Sequence, residues 1–139
     1  MDYPAPLSTS SLEHLNSSEF AKTDLPFSEI VRVGEMLYLS GQMGTLPGKL
    51  ILVSGGMVAE ARQAIVNIER ALKAQGYSLL HVVKCTVMLA DMADWPAFNA
   101  VYREFFKQPF PARSAFGVSA LASGGKLEID VIATTGNRS

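Results

Sequence analysis

Two stretches of this chain hold the residues best suited to chemistry: Phe110-Pro111-Ala112-Arg113-Ser114 and Leu127-Glu128-Ile129-Asp130-Val131-Ile132-Ala133. A guanidinium grips a carboxylate through two parallel hydrogen bonds, a geometry that a lysine ammonium does not reproduce. A glutamate can orient a water and take its proton. Arg113 and Glu128 therefore offer a clamp and a base for a small carboxylic acid. Spacing alone does not say whether the two side chains meet. A purely structural Arg–Glu ion pair has the same appearance in sequence.

The other reactive residue types are sparse. Cys85 is the sole cysteine, and His14 and His81 are the only histidines. That set excludes an internal disulfide and makes a zinc site improbable. Cys85 alternates with Val83 and Val87 and reads as a small buried apolar residue. His81 reads as a strand-end residue. Ser40 has no histidine placed to activate it, so a local main-chain hydrogen bond is its expected role. Trp95 and Phe98 read as core or interface packing.

The elements that must position Arg113 and Glu128 follow from periodicity. Ile30–Val33 and Met36–Ser40 form a predicted hairpin about Gly34-Glu35. Leu50–Val53 is a short extended piece. Val58, Ala61, Ile65, Ile68 and Leu72 make one apolar stripe over a predicted helix at 57–75, with Glu60, Arg62, Gln63, Asn67 and Arg70 on the other face and Gly76 as its C-terminal cap. His81–Leu89 alternates as a strand. Asp94 is placed to cap a second helix that admits Pro96 in its first turn. Arg113–Val118 and Leu127–Thr134 are two further strands. Two helices on one face of a mixed four- to six-stranded sheet is the economical packing: an α+β two-layer domain. Other copies of the chain are the obvious cover for the sheet's second face.

With 139 residues the chain is expected to be a single domain, a 25–134 core preceded by an arm at 1–24. The arm is Ser-rich with Pro4 and Pro6, and one helical turn is expected near Leu12–Leu15. Charged residues are only 18%, below the usual quarter, which hints at surface buried between subunits. The net charge is −1 with scattered basic residues, so nucleic acid is a disfavoured partner. Neither a signal peptide nor a membrane span is evident, and a cytoplasmic protein is expected.

Several segments together resemble the RidA (YjgF) family, whose older name is endoribonuclease L-PSP. They are Ser40-Gly41-Gln42, Val53-Ser54-Gly55-Gly56, Ala61-Arg62-Gln63-Ala64, Val82-Val83-Lys84-Cys85-Thr86-Val87, Asn99 with Tyr102, Pro111-Ala112-Arg113-Ser114 and Leu127-Glu128-Ile129. The resemblance runs in order from about residue 25 to 134. It implies a chorismate-mutase-like protomer in a homotrimer with a central barrel, and clefts between subunits. The implied activity is hydrolysis of reactive 2-imino or enamine acids to 2-keto acids and ammonia, with no metal or organic cofactor. Arg113 would hold the substrate carboxylate and Glu128 would serve the attacking water. Phe27, Gly41, Asn99 and Ala115 would line the cleft. Leu25-Pro26-Phe27 stands where the best-documented deaminase branch carries Gly-Pro-Tyr, so Phe27 keeps the ring and loses a hydroxyl. Ala115 stands where cysteine is frequent.

Two alternatives remain at this level. One is a non-catalytic module that binds small acids in the same cleft, motivated by Phe27. The other is a ribonuclease or translation inhibitor, against which the near-neutral charge argues.

Overall fold

In the computed structural model, which describes residues 11–136, the last strand organises the sheet. Along β6 (Leu127–Thr134) Leu127, Ile129, Val131 and Ala133 are buried, while Glu128, Asp130, Ile132 and Thr134 are only partly so. One face of this strand is core and the other is not. β6 lies between β3 (Met36–Leu39) and β4 (Val82–Leu89), with β1 (Leu12–Leu15), β2 (Ile30–Val33) and β5 (Ala112–Gly117) completing six strands in the order β1-β2-β3-β6-β4-β5. All pairings are antiparallel except β4 with β5. That parallel pair needs a crossover, and α3 (Trp95–Phe105) supplies it.

α2 (Met57–Ala74) lies with α3 over the buried face. Ala61, Ala64, Ile65, Ile68, Ala71 and Leu72 form its inner stripe, next to Phe98 and Val101 of α3. Gly76, at φ +88°, turns the chain out of the helix while Tyr77 N donates to Leu72 O at 2.9 Å. Two positions differ from the periodic reading. Val58 is 37% exposed, whereas Met57 and Glu60 are buried. Glu60, expected on the polar face, turns inward because its carboxylate accepts a hydrogen bond from Lys126 N at 2.9 Å. A buried carboxylate needs such a partner, and no helical period reveals one across 66 residues.

Other local expectations are revised in the same way. Leu12–Leu15 is a strand, not a helical turn, because β2 offers it an open edge: Leu12 pairs with Val33 and Leu15 with Ile30. The helical turn comes just after it as α1 (Ser18–Ala21), capped by the Ser17 side chain. The Pro4 and Pro6 part of the expected arm lies outside the described residues. Leu50–Val53 contributes one bridge, Leu52 with Thr45. Asp94 stands at the start of α3 without making a cap bond; Asp91 instead caps the preceding turn, accepting from Ala93 N at 2.9 Å. A bulge between Val82 and Lys84 puts Val82 in the core and Val83 outside, against strict alternation with Cys85. His81 ends a helical turn just before β4, its Nδ1 accepting from Ser78 N at 3.1 Å.

The face away from the helices presents Tyr38 beside Ile132, and Met88 between Phe116 and Glu128. Tyr38 and Phe116 are each 46% exposed there. No described helix is long and apolar enough to cross a membrane.

Candidate functional site

Arg113 lies on β5 beside Cys85 of β4. Paired positions of neighbouring strands share a face, and Cys85 is wholly buried toward the helices. The Arg113 side chain therefore emerges beneath α3. Its guanidinium carbon lies 4.7 Å from the ring centre of Tyr102, 5.2 Å from Trp95 and 5.9 Å from Phe98. Ring faces attract the cation and hold its plane while leaving its N–H donors available. The guanidinium makes no ion pair or hydrogen bond with a described side chain.

The groups beneath it are quiet. Tyr102 donates to Cys85 Sγ at 3.6 Å. Burial pushes the Cys85 thiol up to about 11, against a downward pull from Tyr102 and Arg113. Burial, with Cys85 beside it, also raises the Tyr102 phenol, and Arg113 opposes that shift. Neither group is a nucleophile or base near neutral pH. Asn99, Tyr102, Arg103, Phe110, Pro111 and Arg113 line a cavity of about 290 Å³. No carboxylate is among its described lining residues. Ala115 follows two residues after Arg113 on the same face and packs on the core.

Glu128 belongs to the other face. It pairs with Met88, which stands opposite in parity to Cys85, Val87 and Leu89. Its carboxyl lies over Gly41, where an added Cβ would meet Glu128 Cδ and Oε1 at 2.9 Å. The reciprocal bonds of Gln42 and Ile129, 2.7 and 2.9 Å, pin the Gly41 segment to β6. Burial, and secondarily Asp130, raises the Glu128 carboxyl above the usual glutamate range. Phe27 is 48% exposed with its ring 5.7 Å from that of Phe20. Its neighbour Ser28 is tethered to Ser40, whose hydroxyl donates to Ser28 O at 2.6 Å.

The six expected site residues thus fall into separate groups. Arg113, Asn99 and Ala115 lie together on the helix face; Glu128 and Gly41 lie together on the opposite face, and Phe27 is tied to the segment entering Gly41. Arg113 and Glu128 do not pair within one chain. The ion pairs among the described residues are Lys22–Glu19, Arg62–Glu104 and Lys73–Glu69. The aromatic cradle was read from sequence only as packing, although Trp95, Phe98 and Tyr102 repeat on one stripe of α3. Arg103 and Phe110 carried no signal of their own. A larger cavity of about 420 Å³, between α1, the 45–50 loop and α2, contains none of the six residues.

The described residues form a mixed sheet with helices on one face and an arginine caged by aromatic rings beside its one parallel pair. The chain belongs to the endoribonuclease L-PSP family, the group that includes RidA and YjgF, and the family model matches residues 18–135. The goat (Capra hircus) protein named 2-iminobutanoate/2-iminopropanoate deaminase is 49% identical over 111 residues, 80% of this chain and 81% of that one. The human protein of the same name is 45% identical over 111 residues, with the same 80% and 81% shares. Among solved structures, RidA from the Antarctic bacterium Psychrobacter sp. PAMC 21119 has a TM-score of 0.76 at 34% identity, covering 89% of this chain and 98% of its own. The YjgF gene product of E. coli has a TM-score of 0.78 at 31% identity, covering 88% and 98%.

Proposed function

We propose that this chain hydrolyses 2-imino acids, and the enamines in equilibrium with them, to 2-keto acids and ammonia. The observation that carries the reading is the Arg113 guanidinium, held against three rings, with no ion pair or hydrogen bond to a described side chain, in a cavity with no carboxylate among its described lining residues. Relatives at 49% and 45% identity that are named 2-imino acid deaminases support it. The net charge of −1 favours a small acid over nucleic acid.

Because Arg113 and Glu128 occupy opposite faces, a cleft using both draws them from different copies. Arg113, Asn99 and Ala115 come from one protomer, and Glu128, Gly41 and Phe27 from its neighbour. The half-exposed apolar residues of the outer face, Tyr38 and Phe116 among them, favour such an assembly. Three copies closing these faces into a barrel make the homotrimer. Cytoplasmic operation suits a chain whose one cysteine is buried and unpaired.

In the reaction, Arg113 takes the substrate carboxylate in a bidentate grip and turns the C=N carbon toward the neighbour's Glu128. Glu128 takes a proton from water as the oxygen adds to that carbon and passes it to the imine nitrogen, leaving a neutral carbinolamine. Glu128 then carries the carbinolamine's hydroxyl proton to the amino nitrogen, and ammonia leaves as the C=O bond forms. Imines already hydrolyse in water, so positioning and a base suffice without a covalent intermediate. A raised Glu128 carboxyl is suited to giving back the proton it takes.

A mixing experiment tests both the residues and their division between copies. Arg113→Ala and Glu128→Gln are each expected to lose turnover of 2-iminobutanoate. Unfolded, mixed and refolded together in equal amounts, they should regain about a quarter of wild-type activity by random assortment around a closed ring. Two active single variants would refute the chemistry. Two dead variants with no regain would refute the shared cleft. Phe27, lacking a hydroxyl, favours the second reading, a binding module; a folded wild type that binds 2-keto acids but never accelerates imine loss would establish it.

A further inference from the structure

The lining of the Arg113 cavity holds more positive charge than one carboxylate requires. Asn99 and Arg103 are four residues apart, hence neighbours on one stripe of α3, and both line it. The Arg103 guanidinium carbon stands 5.4 Å from the ring centre of Phe110, which forms the facing wall with Pro111. The one carboxylate beside it in sequence, Glu104, is committed elsewhere: Arg62 grips it with two bonds of 2.9 and 2.7 Å. Lys107, one turn on, does not line the cavity; its Nζ donates to Arg103 O at 2.6 Å and its charge acts on Glu104, so it leaves the Arg103 guanidinium unneutralised. In a protein of net charge −1 this local excess is not a general feature of the surface.

We infer that the cavity accepts a second anionic group and that 2-imino dicarboxylates are substrates of the site, with the α-carboxylate on Arg113 and the distal carboxylate on Arg103. The inference rests on the deaminase reading and deepens it. Arg113 is fixed by its three rings and addresses the group common to every 2-imino acid, so it cannot discriminate side chains. Arg103, exposed and stacked on Phe110 at the mouth, meets what extends beyond the reacting carbon. A distal carboxylate there gains a charge-assisted hydrogen bond, and an alkyl side chain gains only contact with Phe110 and Pro111. A cation in the last turn also suits the C-terminus of α3, and the test separates that role from recognition.

An L-aspartate oxidase would supply 2-iminosuccinate and a threonine dehydratase 2-iminobutanoate, and kcat/KM would be measured for both with wild type, Arg103→Ala, Arg103→Glu and Arg103→Lys. The diacid-to-monoacid ratio is expected to fall about tenfold in Arg103→Ala, through KM, as one charge-assisted bond is lost. It should fall further in Arg103→Glu and recover in part in Arg103→Lys. A helix-stabilising role alone would lower Tm and affect both substrates alike. A ratio unchanged across these variants overturns the inference. So does a wild type that turns over 2-iminobutanoate but not 2-iminosuccinate. Turnover of neither substrate by folded wild type refutes the deaminase reading instead.

Discussion

A methyl group at residue 41 would stand 2.9 Å from Glu128 Cδ and Oε1, and the group it would displace is the free end of a flexible side chain. The fold should tolerate that displacement, while a base that must meet a water should not. Gly41→Ala is therefore expected to leave Tm within a few degrees of wild type and to lower kcat roughly tenfold or more, a loss typical of misplaced catalytic groups. Equal losses of stability and activity would show Gly41 to be structural. Glu128 itself predicts a pH dependence. Its carboxyl is raised by burial and then by Asp130, so the base form is depleted at a higher pH than for an ordinary glutamate. The acid limb of kcat/KM should lie above the usual glutamate range, and Glu128→Gln should abolish it with a loss of about 10²-fold. The same shift bears on stability: whatever Glu128 contributes is complete below its unfolded value and is lost as pH rises through the raised one. These two residues were legible as types on strands. Their separation was not, because it depends on pairing Arg113 with Cys85 and Glu128 with Met88, positions of opposite parity on β4.

At the scale of elements, strong local periods were readable and partnerships were not. α2 was expected at 57–75 and runs Met57–Ala74, since its apolar stripe is a local property. The Leu12–Leu15 strand exists only because β2 leaves an edge beside it, and four residues hold no signal of that. Glu60 is the clearest case. Its buried carboxylate ties the first turn of α2 to Lys126 N, one residue before β6 begins. Glu60→Ala should destabilise the fold by about 1–3 kcal/mol, the cost of leaving a buried donor unpaired. Denaturant unfolding would measure it, and a change under 0.5 kcal/mol would mean that water takes over the bond. Glu60→Gln keeps an acceptor and should recover most of the loss.

For the molecule as a whole, helices on one sheet face and further copies on the other were expected from sequence, and the structure puts Arg113 on the helix face and Glu128 on the opposite one. Helices cover the Arg113 face, and the outer face is left to Glu128, Tyr38 and Phe116. Under the proposed shared cleft, an isolated protomer would be half an enzyme. The covered face has a consequence of another kind. Cys85 is wholly inaccessible, its thiol pushed up to about 11, beneath Tyr102 and the packed helices. No alkylating reagent reaches it until α3 lifts from the sheet. The residue is thus a built-in clock for opening: at saturating reagent its labelling rate should level off at the rate of opening, and under stabilising ligand it should slow. Labelling as fast as that of a free peptide thiol would mean that the core breathes far more than its packing implies.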